Sequence, residues 1–381
     1  MKLRKVWVQN FRAIKETEIV FADALGAIRP ITVLAGPNGS GKTSVLYAIV
    51  QALRGVMGYR TSDVPEPEEL DIHRPLSASG LSREPPSISV TLDVEFGSEE
   101  RAAIRRVLNE TTADEPILDP LPELPGGKIR AYWKYPPDRK SDGSLWPSWF
   151  LNRTEPGNAI PWFRGRSTAI RAWRDRRLRE RDLLDKIGGI YLFPQDRSLR
   201  SRVMGERVTQ DDDPPVRSDR KSKDGFSVWG VLEYLSNYSR NRPENATQEG
   251  NWEQRIREGF NQICAPKEYL GFMYKSDDPL GAPYFKDNGS TYPLHMAASG
   301  EQVIIEYLAR LTYPSPMNHS IILIDEPEIH LHPGWVRQLY RALPKIGVDN
   351  QYIITTHSTE LYAAAAADQA LIEMGPLVET N

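Results

Sequence analysis

Ala35-Gly36-Pro37-Asn38-Gly39-Ser40-Gly41-Lys42-Thr43-Ser44 decides the reading of this chain. From Gly36 to Thr43 it runs G-x-x-x-x-G-K-T, the Walker A pattern of a phosphate-binding loop. Both flanks suit that reading. Ile31-Thr32-Val33-Leu34 before it is a short apolar run that reads as a buried strand. Val45, Leu46, Ile49, Val50 and Leu53 after it recur at helical spacing. The glycines let several backbone N–H groups converge on an anion, and the helix points its positive end at the same spot. Lys42 can reach the β- and γ-phosphates of a nucleoside triphosphate, and the Thr43 hydroxyl can ligate Mg²⁺. The whole loop, Gly36 to Ser44, is therefore the expected triphosphate-binding segment.

A second run complements the first. Ile321-Ile322-Leu323-Ile324 ends in Asp325-Glu326, which reads as a buried parallel strand delivering two acids at its C-terminal edge. Asp325 is expected to hold Mg²⁺, and Glu326 to orient or deprotonate an attacking water. Tyr352-Ile353-Ile354-Thr355-Thr356 is a further strand, ending at His357, which is placed to meet a γ-phosphate. Ser299-Gly300-Glu301 opens a helix whose Val303, Ile304, Tyr307, Leu308 and Leu311 mark an amphipathic face. A hydroxyl and free N–H groups at that start suit an anion or a plain helix cap equally well.

The chain has 381 residues, long enough for roughly two domains. Its formal charge of −3 gives no global field for nucleic acid, so any such contact needs a local patch. The single cysteine, Cys264, excludes an intrachain disulfide and fits a reducing compartment. No run approaches the roughly 20 apolar residues of a membrane span, and Met1 to Val6 lacks a signal-peptide core. The expected location is cytoplasmic, with no membrane contact.

Elsewhere the elements are less marked. Leu3–Gln9 and Thr17–Phe21 read as paired strands around an Asn10-Phe11-Arg12 turn. Val64–Glu69 and Arg83–Pro86 are proline-broken connectors. Ser87–Phe96 alternates cleanly as a strand, with a helix over Ser98–Asn109, a loop over Thr111–Gly127 and a partner strand over Lys128–Tyr135. Ile187–Pro194, Tyr269–Tyr274 and Ala282–Lys286 read as strands, and Val228–Arg240 and Trp252–Ile263 as helices. Met204–Asp224 is the most polar loop, and Asp287-Asn288-Gly289-Ser290 a tight hairpin turn. Between Trp133 and Trp173 lie five tryptophans, and Arg164, Arg166, Arg171, Arg174, Arg176, Arg177, Arg179 and Arg181 follow closely. Arginines among aromatics could contact DNA or RNA, but interspersed Asp175, Glu180 and Asp182 favour a solvated helix face beside a subdomain core.

Taken together, Gly36–Thr43, Ser299-Gly300-Glu301-Gln302, Asp325-Glu326-Pro327-Glu328-Ile329-His330-Leu331-His332-Pro333 and Thr355-Thr356-His357-Ser358 resemble the ABC-type ATPase heads of the RecF, SMC and OLD group. Val8–Ile14 is similar to that group's opening strand and turn. The resemblance implies an α/β P-loop NTPase of ABC-ATPase type: a mixed central sheet, an N-terminal antiparallel β-subdomain and an inserted α+β region. The head would be split between residues 1–55 and 287–381. The insert, 56–286, would complete the antiparallel subdomain with strands in 87–135 and carry a Trp/Arg-rich helical part in 145–265. It further implies two copies pairing head-to-tail, as a homodimer or higher even oligomer. Ser299 and Gly300 of one copy would then cap the γ-phosphate held by the other, with Glu301 also acting in trans on that nucleotide. Glu326 would be the catalytic base, His357 the switch histidine and Lys42 the phosphate lysine. The group also uses a Mg²⁺-contacting glutamine, which no stretch identifies; Gln195 follows a strand without the expected position, and Arg197 is no better placed. His330 and His332 fall at the dimer seam rather than in a metal pair.

In the OLD subgroup a TOPRIM-type nuclease follows the histidine strand, whereas residues 358–381 allow only a helix and a strand, Gln369–Met374. The resemblance thus points to an ATPase subunit paired with a separate nuclease or toxin, as in bacterial antiviral systems. A RecF-like DNA-repair ATPase and an ATP-gated scaffold with negligible turnover are the alternatives.

Overall fold

The computed structural model describes residues 1–57, 87–111, 123–135, 149–151, 160–174, 182–195, 228, 230–233, 252–275, 278–312 and 317–375. The connectors Val64–Glu69 and Arg83–Pro86 and the polar loop Met204–Asp224 lie outside these residues, as does most of the helix expected over Val228–Arg240.

Thirteen strands and eight α-helices follow one another among the described residues: β1 Lys2–Phe11, β2 Ile14–Val20, β3 Ile31–Ala35, α1 Lys42–Met57, β4 Ile88–Glu95, α2 Ser98–Thr111, β5 Lys128–Tyr135, β6 Trp149–Leu151, α3 Ile160–Arg174, α4 Asp182–Asp185, β7 Ile190–Phe193, α5 Trp252–Ile263, β8 Glu268–Lys275, β9 Asp278–Asp287, β10 Ser290–Pro293, α6 Ser299–Thr312, β11 Ile321–Asp325, α7 Pro333–Ala342, β12 Gln351–Thr356, α8 Thr359–Ala367 and β13 Leu371–Glu373. They form three sheets. The expected mixture of parallel and antiparallel strands is present as separate sheets: a parallel one in the order β13-β3-β12-β11-β7 and an antiparallel one in the order β2-β1-β4-β5-β6. A small antiparallel sheet, β10-β9-β8, is the third.

The parallel strands are apolar along their whole length because both faces are covered. Alternate residues serve two cores. Leu34, Leu192, Leu323 and Ile353 join α1, α2, α3 and the five-stranded antiparallel sheet. Val33, Phe193, Ile324 and Ile354 face α5, α6, α7 and the small sheet. A buried amide fastens the antiparallel sheet to the parallel one: Leu3 N donates to Gln351 Oε1 at 2.6 Å, and Gln351 Nε2 donates to Leu3 O at 2.7 Å. The side chain copies the pairing of a neighbouring strand, so β1 and β12 hold one relative position.

Several expectations shift. β1 runs on through Phe11, fully buried, so the turn falls on Arg12 and Ala13; Asn10 and Arg12 both take φ 52°. α2 extends to Thr111, and Pro125–Gly127 forms a 3-10 turn instead of plain loop. Helix α6 is covered on more than its apolar face: from Gly300 to Thr312 every residue but the half-buried Gln302 is buried, since the parallel sheet covers one side and α5 with the small sheet covers another. Its Glu306 and Arg310 satisfy this by pairing at 2.8 Å. The stretch 56–286 contributes strands to all three sheets. It supplies β4 and β5 to the antiparallel sheet and β7 as the edge of the parallel one, and the boundary expected at residue 287 cuts the β9–β10 hairpin. That hairpin turns at Asn288 (φ 48°) and Gly289 (φ 83°), as Asn-Gly predicts.

Candidate nucleotide site

The parallel strands β3, β11 and β12 end side by side, and the expected site residues follow from those ends. Between β3 and α1 the loop curls at Gly39 and Gly41, with φ of 78° and 85°. Lys42 is buried, 4% exposed, and its ammonium arches back to Gly36 O at 2.9 Å, Pro37 O at 3.0 Å and Ser40 Oγ at 3.4 Å. Burial holds its pKa below the ordinary lysine value, opposed by the negative charges of Glu326, Asp325 and Glu328. A cation kept charged in so dry a place calls for an anion, and a triphosphate supplies one.

Asp325 closes β11 opposite Thr355 of β12. Its Oδ1 accepts from Thr43 Oγ1 at 2.9 Å and from Thr355 Oγ1 at 2.5 Å. A loop hydroxyl and a strand-end carboxylate thus meet from residues 282 apart in sequence. This all-oxygen set beside the phosphate loop fits Mg²⁺, which is held in such sites by the loop hydroxyl and this acid.

Glu326 comes next, in the left-handed region at φ 47°. For a residue with a side chain that costs about 1–2 kcal/mol. The strain is offset by two bonds from its N–H, to Thr355 O at 3.2 Å and Thr355 Oγ1 at 3.0 Å. The turn aims the carboxylate at two partners. Gln195 Nε2 donates to Oε2 at 2.9 Å, and His357 Nε2 lies 3.4 Å from Oε1. Gln195, which the sequence could not match to the group's glutamine, therefore touches the acid Glu326. It is delivered by β7, whose pairing with β11 brings the two strand ends together.

Among the three residues expected to act on a second copy's nucleotide, one is exposed and two are buried. Ser299 lies exposed at the start of α6. Gly300 lies against the chain after β11: a Cβ there would meet His330 O at 2.7 Å and the Trp335 ring at 3.3 Å. Glu301 is 1% exposed and turned inward. Its carboxylate accepts from Ala298 N at 2.6 Å, from Lys267 Nζ at 3.0 Å and from the Tyr292 hydroxyl. It caps its own helix, reaching back three residues as a capping-box glutamate does. The carboxylate expected to act on a second copy's nucleotide is thus engaged within its own chain.

The remaining candidates resolve in the same way. His332 Nδ1 accepts from Gly334 N and caps α7, and no cluster of three metal-type side chains exists among the described residues. In the arginine run, Arg166 is buried and donates to Leu184 O and Ile187 O, while Arg164 Nε donates to Val56 O at 3.3 Å. These two are structural, Arg171 is exposed, and Arg176, Arg177, Arg179 and Arg181 lie outside the described residues. Two contributors went unforeseen: Thr355, which serves both acids, and Glu328, which accepts from Thr356 Oγ1, His357 N and Ser358 N. Among the described residues no helix is long and apolar enough to cross a membrane.

Comparison with known proteins agrees with this geometry. Old nuclease of Escherichia phage P2 is 21% identical over 386 residues, covering 97% of this chain and 59% of the relative. The Retron Vc95 probable ATPase of Vibrio cholerae is 24% identical over 168 residues, covering 41% of this chain and 31% of the relative. The chain therefore spans well under two thirds of the length of these relatives. An SMC head solved bound to the C-winged helix domain of ScpA shares the fold, with a TM-score of 0.52 at 14% identity over 96% of this chain and 92% of that one. The family described as "AAA domain, putative AbiEii toxin, Type IV TA system" matches residues 31–363. With the loop, the acid strand and the histidine all inside that match, the chain belongs to this family, and it is similar to the ABC-type ATPase heads of the OLD and SMC group.

Proposed function

We propose that this head binds Mg²⁺·ATP, pairs with a second copy across the nucleotide, hydrolyses it and thereby regulates an effector, a nuclease or toxin, in antiphage defence. The observation that carries the reading is the convergence on Glu326: its carboxylate lies between Gln195 at 2.9 Å and His357 at 3.4 Å, at the end of the strand whose Asp325 meets Thr43. In the proposed reaction a water attacks the γ-phosphorus, the bond to the bridging oxygen breaks, and ADP and phosphate form. Glu326 takes the water's proton, Gln195 orients Glu326, and His357 and Lys42 face the γ-phosphate charge. Bound Mg²⁺ would neutralise phosphate charge, held by Thr43 and Asp325. Ser299, exposed at the head of α6, would cap the γ-phosphate of the second copy together with the backbone of Gly300 beside it. Relatives named as a nuclease and a retron ATPase support the effector and defence role. The single cysteine, buried at Cys264, supports a cytoplasmic setting.

The test is Glu326→Gln. It should lower turnover by about 100-fold or more and leave an ATP-dependent dimer, seen by sedimentation, that the wild type forms only transiently. Equal, near-zero rates in both proteins would reject hydrolysis in favour of an ATP-gated scaffold.

A further inference from the structure

Three donors on consecutive residues converge on one oxygen of Glu328. Thr356 Oγ1 donates to Oε1 at 2.8 Å, His357 N at 2.6 Å and Ser358 N at 3.2 Å. The other oxygen, Oε2, is buried and has no hydrogen-bond partner. Leaving a buried carboxylate oxygen unsatisfied is unfavourable, so the side chain's place is set by what Oε1 holds.

That oxygen holds the backbone of the histidine loop. Glu328 and Glu326 belong to the same turn after β11, two residues apart. On that turn Glu326 N binds Thr355 O and Oγ1, and Glu328 Oε1 binds residues 356, 357 and 358. A continuous row of bonds therefore stitches the acid turn to the end of β12. Ser358 is fixed from the other side as the cap of α8, its Oγ accepting from Glu360 N and Leu361 N. His357 sits between these two anchors with its ring 3.4 Å from Glu326 Oε1.

We propose that Glu328 is a positioning residue that fixes His357 in register with Glu326, acting through its single acceptor oxygen rather than through its charge. The kinetic part rests on the ATPase reading above; the grip on the loop does not.

Glutamine separates the acceptor from the charge, because its carbonyl can take the place of Oε1 and its amide that of the unpartnered Oε2. In the full chain, Glu328→Ala should lower kcat about 10- to 100-fold, as expected for losing hydrogen bonds to a charged acceptor, with KM for ATP little changed. Glu328→Gln should recover kcat to within about fivefold of wild type. Adding Glu328→Ala to His357→Ala should cost nothing more than His357→Ala alone. Amide hydrogen exchange at His357 and Ser358, measured without nucleotide, should be slow in wild type and Glu328→Gln and fast in Glu328→Ala. If wild type shows no turnover, the ATPase reading fails and the exchange result alone decides the grip. Wild-type exchange in Glu328→Ala overturns the proposal, and so does a Glu328→Gln protein as impaired as Glu328→Ala.

Discussion

Gln195 and Glu326 are 131 residues apart in sequence and joined by a 2.9 Å hydrogen bond. The bond exists because β7 is the edge strand beside β11, in register from Ile190 opposite Ile321 to Phe193 opposite Ile324. A base must point at its water, and a misplacement of about 1 Å can cost 100-fold in rate. Gln195→Ala should therefore lower kcat about 10- to 100-fold. ATP affinity measured with EDTA present should not change, since Gln195 touches the acid rather than the phosphate loop. A wild-type kcat in this variant would remove Gln195 from the mechanism.

That bond also marks where the sequence stopped being legible. Gly36 to Ser44, Asp325-Glu326 and His357 stood out as candidates because each lies in one short stretch at a strand end. Gln195 did not, because an apolar run such as Ile190–Phe193 signals a strand without naming its neighbour. The direction of Glu301 was hidden for a related reason: an acid in the first turn of a helix looks the same whether it faces a ligand or folds back onto its own backbone. Only Lys267 and Tyr292, from other elements, settle the direction. Arg166 sits in a run of surface-type charge, yet the carbonyls of Leu184 and Ile187 draw it inside. The apolar positions of α6 marked its most hydrophobic side, while Glu306 and Arg310 neutralise each other and let the remaining sides be buried as well.

The meeting of Thr43 Oγ1 and Asp325 Oδ1 predicts how metal and nucleotide couple. A ligand that binds only the folded state adds about 2.7 kcal/mol at 100 times its Kd, which raises Tm by several degrees. Mg²⁺ with ATP should therefore raise Tm more than ATP with EDTA. Asp325→Asn should abolish that difference while keeping most of the shift from ATP alone, because Lys42 and the loop glycines are untouched. A full Mg²⁺ increment in Asp325→Asn would show that the metal is held elsewhere.

Ser299 and Glu301 occupy neighbouring positions on α6 but face opposite ways, so their substitutions should separate pairing from folding. Ser299 is exposed, and its hydroxyl is assigned to the second copy's phosphate. Ser299→Ala should leave Tm within about 1 °C, since exposed substitutions change stability by under about 0.5 kcal/mol, and should weaken ATP-dependent dimerisation in the Glu326→Gln background. Glu301→Ala removes the acceptor for Ala298 N, Lys267 Nζ and the Tyr292 hydroxyl, leaving Lys267 the Asp287 carboxylate at 3.4 Å and the Tyr292 and Trp335 rings. That loss should cost about 2–4 kcal/mol and lower Tm by roughly 5 °C. Glu301→Gln keeps one acceptor and should fall between. The nucleotide affinity of the monomer should stay at the wild-type value in all three, because α6 is assigned to the other copy's ATP. If Glu301→Ala kept its Tm but lost dimerisation, the inward role would be wrong and the carboxylate would belong to the nucleotide site after all.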